Sequence, residues 1–258
     1  MKANGKLTGK CALISGASRN IGKEIALTFA REGADIAVLA LNNPEELEAV
    51  AEECRSLGRN AIAVQCDVSD SGEVSAAVAK SIEALGKIDI LVSNAGIRPH
   101  TPLVDVTDEE WRQVLGVNLD ATFFLTRAVL PGMIERGSGS IMAMGGKAAL
   151  TGRPSTATVT TSKHGLLGLM RAVAAEAGPH GIRANLVNPG SIIVERRNPE
   201  WYKDRKNPRG SEEHLSEIPL GREGAVEDIA QACLYFASDE SAYVTGNALN
   251  VMGGEYIL

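Results

Sequence analysis

Aromatic side chains make up only 4% of the chain, too few to build the stacking platforms on which single-stranded nucleic acids lie. Basic residues are outnumbered as well: 26 lysines and arginines face 32 aspartates and glutamates, for a net charge of -6. A surface of that sign repels polyanions and anionic lipid, so neither nucleic acid nor membrane is expected as a partner. Cysteine is scarce and scattered. The residues at 11, 54, 66 and 233 form no C-x-x-C pair and have no histidine at metal-ligand spacing, so neither a disulfide framework nor a metal centre is expected. No uninterrupted apolar run reaches the roughly 18 residues of a membrane-spanning helix. The opening MKANGKLTGK lacks the hydrophobic stretch of a secretion signal. These absences point to a cytoplasmic protein with free thiols.

What is present is aliphatic and periodic. Hydrophobic residues are 44% of the 258, enough for one core and one domain spanning 1–258. Short apolar runs (CALIS, ADIAVLA, AIAVQCD, DILVSNAG, SIMAMG, IRANLVNPG and ALNVM) read as strands. Between them, apolar spacing of three and four predicts helices at about 21–32, 44–57, 71–85, 108–136, 155–178 and 226–237. Alternation of this kind builds repeated βαβ units. The expected fold is α/β, a doubly wound, seven-stranded parallel sheet, because the runs are nearly continuous in Val, Ile, Leu and Ala, which fits strands covered by helices on both faces. The segment 191–224 is irregular and rich in charge, and a stretch that long is usually functional or mobile. It is expected to be a lid over a ligand, with a solvated connection as the alternative.

The segment Ser15-Gly16-Ala17-Ser18-Arg19-Asn20-Ile21-Gly22 lies between the first strand and the first helix. Glycines there let the backbone approach a diphosphate, and the helix N-terminus offers unpaired N–H groups with partial positive charge. A tight turn without a ligand is the alternative.

This turn resembles the G-x-x-x-G-x-G of the short-chain dehydrogenase/reductase family, with Asn20 at the middle glycine. Asparagine tolerates positive φ better than most side chains. The resemblance continues through Asp67 in CDVS, Asn94-Ala95-Gly96, Asn118, Ser162-Lys163, Asn188-Pro189-Gly190 and the closing ASDESAYVTGNALNVMGG. It implies a Rossmann fold, a nicotinamide dinucleotide, a small-molecule substrate and a homotetramer or homodimer. Oligomers of such relatives pack the helices at about 108–136 and 155–178 against symmetry mates. The implied cofactor residues are Gly16, Ser18, Arg19, Asn20, Ile21, Gly22, Asp67, Val68, Asn94, Ala95, Gly96, Lys163, Pro189, Gly190 and Ile192. Asp67 would contact adenine and Asn94 would support the central strand. A helix N-cap and a turn-former are their respective alternatives.

The second strand ends Ala37-Val38-Leu39-Ala40-Leu41-Asn42-Asn43, without the acid that holds both ribose hydroxyls in NAD-binding relatives. Arg19 stands where phosphate-preferring relatives carry a basic residue, and arginine pairs well with phosphate. NADP(H) is therefore favoured over NAD(H), although Leu41 departs from the basic residue often found there.

The family's proton-transfer groups are missing. Placing Ser162-Lys163 at the end of Y-x-x-S-K puts Val159 at the tyrosine, and the serine thirteen residues earlier becomes Gly146. Thr156 stands at the tyrosine position of the enoyl-reductase variant, and Val194 replaces a threonine that meets the carboxamide in many relatives. Lys163 and Asn118 remain as implied catalytic residues. Three readings follow: another side chain (Tyr202, His214 or His100) supplies the proton; the reaction is hydride addition to an activated C=C, or non-redox; or the chain binds a nucleotide or scaffolds a partner without turnover. The lid charges Glu195, Arg196, Arg197, Lys203, Asp204, Arg205 and Lys206 would meet an anionic ligand or only water.

Overall fold

The computed structural model describes residues 5–198 and 210–257. Seven strands alternate with helices: β1 Cys11–Ser15, α1 Asn20–Arg31, β2 Asp35–Ala40, α2 Pro44–Ser56, β3 Ala61–Gln65, α3 Ser71–Leu85, β4 Ile90–Ser93, α4 Asp108–Leu115, α5 Ala121–Arg136, β5 Gly139–Met144, α6 Ala157–Ala177, β6 Ile182–Pro189, α7 Glu212–Ser216, α8 Val226–Ala237 and β7 Ala248–Val251. All neighbours are parallel, in the order β3-β2-β1-β4-β5-β6-β7. The order reverses direction between β1 and β4, and the crevice outside their carboxyl ends is where doubly wound sheets bind ligands.

Alternate residues of each strand feed opposite core layers. Ile14, Val38 and Val92 pack with Phe29 of α1, Val50 of α2 and Phe236 of α8. Leu13, Leu39 and Leu91 face the other way, toward Val78 of α3, Leu125 and Met133 of α5 and Leu166 of α6. Phe29, Leu13 and Leu39 are wholly buried, and burying each such side chain contributes about 1.5–3 kcal/mol. Local signals fix the helix ends. Asp70 caps α3 by accepting from the backbone N–H groups of Gly72 and Glu73 at 2.8 Å, and Gly86 ends it with φ 84°.

The helix expected at 108–136 is interrupted by a single π turn, Gly116–Asp120. Asn118 lies buried within that turn, and single π turns of this kind are frequent at functional sites. Averaged over its most apolar window, the 29-residue run Asp108–Arg136 has a mean hydropathy of 1.2, enough by length and composition to cross a membrane. Its Ala121, Leu125, Val129 and Met133 belong to the buried core, which is how the core helix of a globular domain passes the same test. Within 191–224 the structure places a parallel bridge between Ile192 and Gly224, and the short helix α7.

Candidate functional site

A cleft of about 650 Å³ opens at the carboxyl ends of β1, β2 and β4. Every cofactor position named above, from Gly16 to Ile192, lines it. The turn after β1 is held tightly. Asn94 donates to the carbonyls of Ser15 (3.0 Å) and Gly16 (2.9 Å), and its own N–H donates to Ser15 Oγ at 3.0 Å. Gly16 has φ 63°, and a Cβ there would come within 2.8 Å of Ala95 Cα, so only glycine lets β1 and the β4 loop meet. Asn20 takes φ 50°, the left-handed region asparagine tolerates. Its side chain does a second thing: it accepts from Glu195 N and donates to Glu195 O, both at 3.0 Å. One side chain thus ties the turn to the start of segment 191–224.

Arg19 is the residue before α1 and makes no side-chain cap bond, so the helix opens on the cleft with its first N–H groups uncapped by a side chain. Arg19 Nη1 is buried without a hydrogen-bond partner, and the nearest carboxylate oxygen, Glu195 Oε1, is 3.9 Å away. A buried guanidinium nitrogen left unbonded is costly, and a phosphate oxygen would satisfy it. The residues present therefore fit a phosphate-bearing dinucleotide. Arg197, which the sequence offered only as lid charge, pairs with Glu195 at 3.3 Å and with Glu46 of α2. Asp67 is not a helix cap. Its Oδ1 accepts from Ser69 N (2.9 Å) and Ser69 Oγ (2.6 Å), holding the β3 turn against the cleft.

At the inner end stands Lys163. Its Nζ is buried and donates to Met144 O at 2.7 Å. Burial, with help from the positive charge of Arg98, lowers its pKa from 10.5 to about 7. Asn118 lies behind the wall. It accepts from Ile97 N at 2.8 Å and donates to Ile97 O at 2.9 Å and Ser162 Oγ at 3.2 Å. It is a positioning residue that holds the β4 loop to α6 rather than a group lining the cleft.

Lys163 also lines a second, adjoining pocket, together with Gly146, Thr156 and Val159. Gly146 and Val159, which the resemblance sets against the family's serine and tyrosine, thus fall on the wall beside Lys163. Val159 is a buried aliphatic surface, and the Thr156 hydroxyl is engaged with Arg153 O and Thr160 Oγ. Gly146 has φ 118° and ψ -176°, a conformation essentially reserved for glycine. Refilling it with serine is therefore expected to cost about 1–3 kcal/mol of stability, measured by urea unfolding of Gly146→Ser. A neutral effect would show that the backbone at 146 readily adopts an ordinary conformation.

Of the alternative proton donors, His100 lines this pocket. His214 does not. It is buried on α7, 3.2 Å from Glu223 Oε1, and lines neither cavity. Tyr202 lies outside the described residues, as do Lys203, Asp204, Arg205 and Lys206. The sequence reading missed Arg98, Lys147 and Arg153, which also line the pocket. Their signal was available only as basic residues flanking the motifs.

Residues 16–255 match the family model described as Enoyl-(Acyl carrier protein) reductase. The 3-oxoacyl-[acyl-carrier-protein] reductase of Staphylococcus aureus is 36% identical over 248 residues, covering 96% of this chain and 98% of that protein. The chain belongs to the short-chain dehydrogenase/reductase family. The L-rhamnose 1-dehydrogenase (NAD(P)(+)) of Sphingomonas sp. is a similarly close member of this oxidoreductase family, 38% identical over 253 residues, covering 97% and 98% of the two chains. Among family structures, carveol dehydrogenase from Mycobacterium avium in complex with NAD superposes with a TM-score of 0.89 at 32% identity, covering 97% of this chain and 99% of that one.

Proposed function

We propose that this short-chain dehydrogenase/reductase is a nicotinamide-dependent oxidoreductase of a small molecule, prefers NADP(H), and uses Lys163 where family members use a phenol. The observation that carries this reading is the place of Lys163: a buried amine at the junction of the cleft and the adjoining pocket, with its pKa brought to about 7. A proton donor works best when its pKa lies near the working pH.

The turn Gly16–Gly22 and the α1 N-terminus hold the diphosphate. Asp67 and Val68 face the adenine, Asn94, Ala95 and Gly96 back the central strand, and Pro189, Gly190 and Ile192 flank the nicotinamide end. The cofactor supplies or accepts a hydride when bound. Lys163 holds the nicotinamide ribose and moves the proton at its Nζ, and Asn118 fixes the loop that faces it. Arg19 meets the 2′-phosphate through the nitrogen left unbonded, and no acid at the end of β2 opposes it. The NAD(P)(+) in the name of the rhamnose dehydrogenase and the NAD bound by the carveol enzyme support a nicotinamide cofactor here.

Segment 191–224 is read as the lid, anchored by Asn20. The exposed Leu103, Val104, Trp111 and Phe123 beside and along the α4–α5 run suit a homotetramer or homodimer. The four cysteines are unpaired and buried, which suits a cytoplasmic protein.

Calorimetric titration with NADPH and NADH, followed by a panel of carbonyl and enone substrates, tests the proposal. Binding of NADPH with consumption above the enzyme-free rate is expected. No binding at millimolar cofactor would end it. The absence of any hydroxyl at 146 and 159 favours one rival, a nucleotide-binding chain without turnover. Tight cofactor binding with silence across the panel would establish that rival.

A further inference from the structure

The start of segment 191–224 is fixed at two points. Asn20, at the head of α1, holds the backbone of Glu195 through two hydrogen bonds of 3.0 Å. Two residues on, Arg197 bonds the carboxylate of Glu46 in the first turn of α2. The chain therefore spans from the α1 turn to α2, past the end of β2. Arg19, Leu41, Asn42, Asn43, Glu195 and Arg197 line that end of the cleft, whereas Glu46 does not.

Two cations and two carboxylates meet there, and their charges cancel. Glu195 Oε1 lies 3.9 Å from Arg19 Nη1 and accepts from Arg197 Nε at 3.3 Å. The bond from Arg197 holds the Glu46 carboxyl below the usual carboxylate range, and the charge of Arg19 adds to that pull, so all four groups are within electrostatic reach. The set is not satisfied within itself: Arg19 Nη1 and Glu46 Oε2 are both buried without a hydrogen-bond partner. Buried polar atoms are seldom left so.

Leu41, in the turn after β2, has no charge to offer a 2′-phosphate. Arg197 reaches the same stretch of the cleft from a distant part of the chain. A guanidinium carries five N–H donors, and the bonds to Glu195 and Glu46 use two of them. Donors remain on Arg197 for a phosphate oxygen. A phosphate monoester brings about 1.5 to 2 negative charges near neutral pH where the 2′-hydroxyl of NADH brings none. The two carboxylates therefore repel NADPH at this end and leave NADH almost untouched.

We propose that Arg197 completes the 2′-phosphate site from segment 191–224, in place of a base at position 41, and that Glu46 and Glu195 temper the site by holding the guanidinium charge a phosphate must win. The inference deepens the NADP(H) reading, on which it rests, by naming the residues that set the degree of preference. Arg197 adds attraction, and the carboxylates take part of it back.

The test is calorimetric titration of the full chain with NADPH and NADH, and with adenosine 2′,5′-bisphosphate and adenosine 5′-monophosphate as probes of the adenosine end alone. Arg197→Gln is expected to weaken NADPH and the bisphosphate about 10-fold, the size of one charge-assisted hydrogen bond. Glu46→Gln and Glu195→Gln keep the shape and an acceptor oxygen but remove the charge, and each is expected to tighten NADPH and the bisphosphate about 3-fold, the size of an exposed charge interaction. NADH and the monophosphate should move less than about 2-fold in all three. The side chains of Arg197 and Glu46 are 33% and 39% exposed, so neither change opens a cavity in the core. A merely structural latch gives a different result, because breaking it from either end weakens both cofactors together. Parallel losses of NADPH and NADH, or an unchanged ratio of their affinities in Arg197→Gln and Glu46→Gln, overturn the proposal. A wild type that prefers NADH ends the NADP(H) reading, and the sign of the change in that ratio in the variants still decides the role of Arg197 and Glu46.

Discussion

Replacing Lys163 with methionine is expected to lower turnover about 10²–10⁴-fold, the usual contribution of a positioned proton donor, while the protein stays folded. Methionine keeps most of the stem volume and removes the amine. The wild-type pH profile carries the same signature. With the pKa lowered from 10.5 to about 7 by burial and by Arg98, Lys163 is a donor below that value and a base above it. Reduction should therefore slow as pH rises through about 7, and oxidation should speed up across the same range. Stability gives a readout independent of activity. Between about 7 and 10.5 the unfolded chain holds a proton on Lys163 that the folded chain has released. Unfolding then takes up a proton, and stability rises with pH across that window. Urea unfolding at several pH values should show this rise in the wild type and a flatter curve in Lys163→Met. A methionine variant with unchanged turnover would remove Lys163 from the chemistry, whatever the stability curve shows.

Arg19→Ala is expected to weaken NADPH about 10–100-fold and to leave NADH nearly unchanged. Hydrogen bonds to a charged group contribute about 1.5–3 kcal/mol, and each 1.4 kcal/mol is tenfold in affinity. The buried, unbonded Nη1 is the atom that would make such a bond. Glu195 is the competitor. It lies 3.9 Å from Arg19 and also pairs with Arg197, so its charge partly shields the arginine before the cofactor arrives. Arg197 in turn is shared between Glu195 and Glu46 of α2. Equal losses for both cofactors, measured by fluorescence titration, would mean that Arg19 touches the diphosphate alone and that NADP preference has another source. Rising salt should erode the NADPH advantage first, because a phosphate contact near the surface is screened.

The strands and long helices were legible because their signals are local. CALIS, ADIAVLA and SIMAMG are nearly continuous in apolar residues, and a strand covered on both faces buries almost every side chain of such a run. Helix ends followed from spacing and came within two residues for α1, α2, α3, α6 and α8. The π turn at Gly116–Asp120 was not legible, since one extra residue leaves the apolar period of a 29-residue run almost unchanged. His214 shows the limit of reading a side chain by type. Nothing local indicated that α7 would bury it against Glu223.

The sequence by itself determined the βαβ order, the glycine turn and the side chains without hydroxyls at Gly146 and Val159. Each is either a periodicity over neighbouring residues or the identity of one residue at a fixed spacing. Tertiary structure alone decided that Asn20 clasps Glu195 across 175 positions, that Arg19 keeps a buried nitrogen unbonded, and that Arg98 and Arg153 converge on the pocket of Lys163. These depend on where distant loops meet at the carboxyl edge of the sheet. Hydrogen bonds and charge act over a few ångströms of space, whatever separation the chain puts between the groups.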